Sequence, residues 1–254
     1  MRRLSHVLII AIVFAGSAPA QTIKEFGSQV GRDAKDLASF PTRWKKHEWI
    51  RFAEGAGLVL GAYVFDQQIV DAVSRQDGHA LNEYFRFVTH LGGGYGLDLA
   101  AVLAAGGYLS HNATMTSAGV DALESSFAAA GVVTPSIKYV VGRARPIQEE
   151  GKHSFHPFDS SYESFPSGHS TNAWAIGTAI ATRYQDNRYI PAIAYTLATS
   201  VSLARVHDRV HWASDVIAGG LIGHAIAKSI TLNHVHAKMV FTPTREGFVA
   251  RIRF

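Results

Sequence analysis

The residues best equipped for chemistry form one short run, Arg205-Val-His-Asp-Arg-Val-His211-Trp-Ala-Ser-Asp215. A carboxylate beside an imidazole fixes its tautomer and supports positive charge on the ring, which is what a nucleophilic histidine needs. No proline falls between Ala204 and Gly220, so a helix can run from Trp212 onward. The i,i+4 spacing then places His211 and Asp215 on one face. Taken alone, the run is equally compatible with a surface ion pair.

Two stretches upstream add cations and a second histidine. Lys138-Tyr-Val-Val-Gly-Arg-Ala-Arg145-Pro146 sets two cations seven residues apart at the end of a helical run. Two helical turns put Lys138 and Arg145 on one face, and Pro146 marks the exit from the helix. Arg143 falls off that face, as a second phosphate contact or as a solvated charge. Cations at a helix end can also simply complement its dipole. Phe165-Pro-Ser167-Gly168-His169-Ser170 then opens another helix. Ser167 suits the N-cap, Gly168 lets backbone approach an anion, and the free N–H groups of a helix start attract one. His169, in the first turn, is placed to deliver a proton to whatever the anion is bonded to.

The elements that must position these residues read as helices. Apolar, alanine-rich segments fall near 55–73, 97–116, 119–141, 169–184, 190–206 and 212–231. Breaks come at Asp77-Gly78, Gly92-Gly93-Gly94, Pro146–Pro166 and Pro191, and Pro135 predicts a kink or restart inside the third segment. No strand pattern precedes the triple glycine, so it reads as a turn or a point of close packing. The expectation is an all-α bundle of about six core helices over residues 55–232. Asp66, Asp71 and Glu124 interrupt apolar segments and read as structural.

The flanks differ. Residues 1–20 have a charged start at Arg2 and Arg3, an apolar run at Val7–Phe14 and a small-residue site at Ala18-Pro19-Ala20, the pattern of a secretory signal. The chain is therefore expected to be exported to the periplasm. Residues 21–54 form an N-terminal amphipathic segment. Its Trp44–Phe52 portion reads as a helix that packs its tryptophans on the main body or, alternatively, lies at a membrane surface. Residues 233–254 alternate in polarity around Pro243–Gly247 and predict a short C-terminal β-hairpin; His234 and His236 alternate on its strand and could bind a metal, although exposed strand histidines are commoner. After an exported N-terminus, three full spans before Arg145 would leave the 143–168 loop in the cytoplasm. Together with the interrupting charges, this favours a soluble or surface-bound bundle.

Composition narrows the chemistry. The 254 residues contain no cysteine, which excludes disulfides, thiolate metal sites and a cysteine nucleophile. The net charge of +4, reduced to +2 when Arg2 and Arg3 leave with the signal, is no argument for nucleic acid. No carboxylate cluster stands out in the sequence as a metal site, and no cofactor is expected.

Lys-x6-Arg-Pro, Pro-Ser-Gly-His and Arg-x5-His-x3-Asp, in that order, resemble the type 2 phosphatidic acid phosphatase family, relatives of bacterial acid phosphatases and vanadium haloperoxidases. The resemblance covers roughly residues 55–232 and departs at Ala204, where the family usually has serine. It implies that the three motifs converge at one end of a helical bundle. His211 would attack phosphorus to give a phosphohistidine, with Asp215 orienting its ring. Lys138, Arg145 and Arg205, with the Ser167-Gly168 helix start, would hold the phosphoryl oxygens. His169 would protonate the leaving alkoxide and then activate water. The implied activity is metal-independent hydrolysis of phosphomonoesters or lipid (pyro)phosphates, with vanadate binding as a phosphate mimic. The alternatives are a vanadium-dependent haloperoxidase, disfavoured by the short chain and compact first motif, and a non-catalytic envelope-binding protein, which would not need His169, His211 and Asp215.

Overall fold

In the computed structural model the described residues are 28, 31–33, 35, 39, 42–236, 239–244 and 247–252. The expected signal segment lies outside them, as does most of the stretch up to residue 41. The described helices are α1 (Lys46–Val64), α2 (Asp66–Ser74), α3 (His79–Thr89), α4 (Gly94–Leu109), α5 (Ala113–Ser126), α6 (Thr134–Val141), α7 (Gly168–Arg183), α8 (Tyr189–His207) and α9 (Ala213–His236). The protein is all-α in class. Beyond α9, the backbone of Met239–Thr244 pairs antiparallel with Gly247–Ile252.

α7 forms the axis of the bundle. Ile176 and Ala179 pack with Ala100 of α4 and Ala122 and Leu123 of α5. Ala175 packs with Ile226, Ala227 and Ile230 of α9, and Ala173 with Ala198 and Val201 of α8. So many alanines at the contacts let the backbones come close. Gly223 of α9 is the extreme case: a Cβ there would collide with the Thr171 carbonyl oxygen and sit 3.0 Å from the Ala175 nitrogen.

Local chemistry sets the ends of the helices. Asn112 caps α5 by accepting from the Met115 N–H at 3.0 Å, and Ser167 caps α7 by accepting from the Ser170 N–H at 3.5 Å. α5 widens into a π-helical stretch, Phe127–Val133, immediately before α6 begins with Pro135 in its first turn. The wide turns meet the restart expected at Pro135, which has no N–H to give.

Two local expectations are overturned. α1 buries none of its residues, and Trp49 is 48 % exposed rather than buried on the body. Trp44, Trp49 and Phe52 instead pack on one another, with ring centroids 4.8, 5.4 and 6.0 Å apart. His234 is not on a strand, because α9 continues through His236; its side chain is fully buried.

Candidate active site

The C-termini of α6 and α8 and the N-termini of α7 and α9 meet at one end of the bundle. Lys138 lies in the last turn of α6, with its Cε 3.9 Å from where a Cβ on Gly168 would stand. The Ser167 N–H donates to the Asp215 carbonyl at 3.0 Å, which ties the start of α7 to that of α9. Gly92 and Gly93 supply the close packing expected of the triple glycine. A Cβ on Gly92 would stand 2.8 Å from the His169 carbonyl, and one on Gly93 would stand 3.5 Å from His169 Nε2.

Two geometric expectations are corrected. Lys138 and Arg145 do not share a helical face, because Gly142 takes the left-handed φ of 56° and ends α6 at Val141. Arg145 follows in extended backbone, with one guanidinium nitrogen 3.7 Å from a Glu163 carboxylate oxygen. His211 also lies outside its expected helix, since α9 starts at Ala213. Asp215 uses Oδ2 to accept the Trp212 N–H at 2.9 Å, a cap that takes it away from the imidazole. His211 Nδ1 is 3.8 Å from Asp215 Oδ2 but 2.8 Å from the Ser164 carbonyl oxygen. The carbonyl is therefore the direct partner of the ring, and it requires Nδ1 to carry the proton.

Asp215 is fully buried and works through a network. It accepts from Arg143 Nη1 at 2.6 Å and from the Ser164 hydroxyl at 2.5 Å. Arg143 is neither solvated nor a phosphate contact, and only 1 % of it is exposed. Its other nitrogen donates to Asp66 at 2.8 Å, and Asp66 in turn accepts from the Ser214 N–H and hydroxyl at 2.8 and 2.6 Å. Asp66, Arg143, Asp215 and Ser164 thus form a continuous buried path to His211. Buried charges persist when paired and hydrogen-bonded in this way.

The electrostatics are those of a crowded cationic site. Burial first, then the charges of Arg205, His211, Lys138 and Arg145, push His169 down to about 4. Burial also lowers His211 to about 4, against the opposing pull of Asp215. Lys138 falls to about 8, first from burial and then from Arg145. Both histidines are therefore neutral near pH 7 among three cations. Arg205 donates to the Thr89 hydroxyl at 3.0 Å, while its Nε is buried with no hydrogen-bond partner. A buried donor among cations is what an oxyanion would satisfy. Thr89, His207 and Asp208 also line an open cleft of about 720 Å³ beside Arg205.

Comparison with known proteins bears on this arrangement. Residues 122–238, which contain all three motifs, match the PAP2 superfamily. The match covers a little under half of the chain. Lipid A 1-phosphatases of Rhizobium etli and Rhizobium johnstonii are 33% and 40% identical to it, over 46% and 37% of this chain and 51% and 38% of theirs. The chain thus spans about half or less of the curated relatives it matches. Among solved structures, LpxE of Aquifex aeolicus aligns with a TM-score of 0.52 over 66% of this chain and 95% of its own, at 22% identity. A transmembrane PAP2-type phosphatidylglycerolphosphate phosphatase from Bacillus subtilis aligns with a TM-score of 0.55 over 72% and 95%, at 24% identity. At these identities the alignments speak to the fold.

Several residues of the site escaped the sequence. Thr89 and Ser164 belong to no pattern, and Asp66 is 77 residues from its partner Arg143. One signal was available for Asp66, a carboxylate inside an apolar run that needs a buried cation. Arg209, within the third motif, pairs with Asp71 at 3.4 Å. Ala204 is fully buried against Phe85 and Val88 of α3, so the side chain at this position meets an apolar surface.

Proposed function

We propose that the protein is a phosphatase acting on a phosphorylated lipid by way of a phosphohistidine, without a metal ion at the reaction centre. The observation that carries this is the buried, unpartnered Arg205 Nε beside Lys138, Arg145 and two neutral histidines. Phosphoryl transfer asks mainly for positioning and for neutralisation of spread negative charge. Lys138, Arg145, Arg205 and the first N–H groups of α7 supply that charge. With Nδ1 of His211 donating to the Ser164 carbonyl, Nε2 holds the lone pair that attacks phosphorus. The P–O bond to the leaving group breaks as the N–P bond forms. His169, protonated as the bound oxyanion offsets its neighbouring cations, gives the leaving oxygen its proton. It then takes a proton from the water that hydrolyses the phosphohistidine.

The lipid reading rests on the named relatives and on the exposed apolar surface. Leu58, Leu60 and Val64 of α1 and Val102 and Leu109 of α4 are 56–77 % exposed, and the aromatic cluster of Trp44, Trp49 and Phe52 lies before and along α1. Among the described residues, Ala213–Val235 is long and apolar enough to cross a membrane, although 56% of its most apolar window is buried in the bundle. These features support a membrane-associated protein, and the secretory-signal pattern of residues 1–20 supports work on the periplasmic side.

Phosphate release is to be measured from a soluble monoester, phosphatidate, phosphatidylglycerophosphate, lipid A and polyprenyl pyrophosphate, in detergent micelles. Preference for a lipid substrate with competitive inhibition by vanadate is expected. No phosphate release from any of them, or bromide oxidation once vanadate is added, would overturn the reading.

A further inference from the structure

The opposite end of the bundle holds a second built cluster. Asp121 and Glu124 come from α5, His234 from α9 and Asp33 from the segment before α1. Asp121 and His234 are fully buried, Asp33 is 2 % exposed and Glu124 9 %. His234 Nδ1 lies 2.7 Å from Asp121, and its Nε2 lies 3.1 Å from Asp33 Oδ2 and 3.8 Å from Glu124 Oε2. One ligand atom each from Asp33, Glu124 and His234 falls within 4.8 Å of the others. Both carboxylate oxygens of Glu124 are buried with no hydrogen-bond partner. A carboxylate so placed is strongly disfavoured unless a cation meets it.

We propose that Asp33, Glu124 and His234 form a structural binding site for a divalent transition-metal ion of the zinc type, with Asp121 orienting the imidazole. The arrangement has the form of an outer carboxylate on one ring nitrogen and the ligand position on the other. With Nδ1 donating to Asp121, the Nε2 lone pair points between Asp33 and Glu124. Donors about 2.0–2.2 Å from a tetrahedral zinc ion stand about 3.3–3.6 Å from one another. The observed 3.1 and 3.8 Å from Nε2 bracket that spacing. Arg183 also pairs with Asp121, at 2.6 Å. One imidazole with two carboxylates suits zinc or manganese better than calcium, which takes six or more oxygens.

The site would be remote from the phosphoryl chemistry. α7 runs from the cation cage at Gly168 to Arg183 beside the cluster, about 22 Å at 1.5 Å per residue. Its role would be to fasten the segment before α1 to α5 and α9, joining residues 201 positions apart. The proposal does not depend on the phosphatase reading.

The test uses the full chain carrying an affinity tag without histidine, treated with chelator, passed over a desalting column and then titrated with zinc, manganese and magnesium. Elemental analysis is expected to give one zinc per chain, with a zinc-dependent rise in Tm and little response to magnesium. Glu124→Gln and Asp33→Asn, both close in volume to the originals, should lose the bound zinc and the Tm rise. Should a variant fail to fold, the wild-type stoichiometry decides by itself, and cobalt substitution adds the absorption bands of a low-coordinate nitrogen–oxygen site. Wild-type chain that retains no stoichiometric ion, or variants that bind zinc as the wild type does, would overturn the proposal. So would a Glu124→Gln chain that melts higher than metal-free wild type while neither binds zinc, the mark of a purely ion-paired cluster. Activity is read in parallel: a chain that binds zinc but releases no phosphate contradicts the phosphatase reading and leaves the metal site standing.

Discussion

Replacing Arg143 by methionine tests the buried path beneath the site. The substitution keeps much of the side-chain bulk that lies 4.8 Å from the Tyr63 ring centroid and 5.3 Å from that of Trp212. It removes the guanidinium from Asp66 and Asp215, which stay fully buried. Stripping one partner from a buried ion pair costs about 3–5 kcal/mol. Here two carboxylates lose a partner, but the Ser214, Ser164 and Trp212 donors remain, so a loss of about 3–5 kcal/mol is expected rather than twice that. Urea denaturation in detergent measures it. Asp66→Asn in the Arg143→Met background should recover part of the loss, with a coupling of about 1–3 kcal/mol between the two positions. The same path holds Ser164, whose carbonyl fixes His211, so kcat should fall more than KM rises. A loss below about 1 kcal/mol with unchanged kcat would refute the argument that this network carries both stability and ring orientation.

Three further outcomes follow from the geometry. Arg205→Met should lower kcat/KM about 10²–10³-fold and weaken vanadate inhibition, because a preorganised donor to the phosphoryl oxygens is lost; steady-state kinetics check this. Sulfate, which keeps its charge over the range, should bind more tightly as pH falls from 7 toward 4. His169 and His211 are neutral above about 4 and a bound dianion favours the imidazolium, so binding takes up a proton and affinity rises by up to tenfold per pH unit. Above about 8, where Lys138 gives up its proton, sulfate binding should weaken again; a flat inhibition profile between pH 5 and 9 would contradict this. Gly223→Ala should cost about 1–3 kcal/mol in thermal or urea unfolding, since its Cβ collides with the Thr171 carbonyl at the closest approach of α7 and α9.

The helical class and the residues of the three motifs were legible because both signals are local. Apolar runs report helices, and spacing along one segment reports which side chains that segment can bring together. Geometry beyond a segment was not. Arg145 was misplaced because the left-handed Gly142 ends α6 before two turns are complete, and His211 because the Asp215 carboxylate caps a helix that starts after Trp212. Arg143 looked solvated because its partners lie 77 and 72 residues away. The α1 aromatics follow the same logic, since an amphipathic pattern names an apolar face without saying what covers it. His234 was assigned to the wrong element because the apolar run of α9 fades near Leu232 while its hydrogen-bonded backbone continues.

The central claim, that His211 Nε2 becomes bonded to phosphorus, is tested most directly by rapid acid-free quenching of the enzyme with a ³²P-labelled substrate. The account predicts acid-labile, base-stable label on the wild-type chain at His211. It predicts more label at steady state when His169→Asn slows hydrolysis of the intermediate but a good leaving group still allows its formation. It predicts none in folded His211→Ala. Label of the same stability on His211→Ala, or turnover by that variant near the wild-type rate, would contradict it.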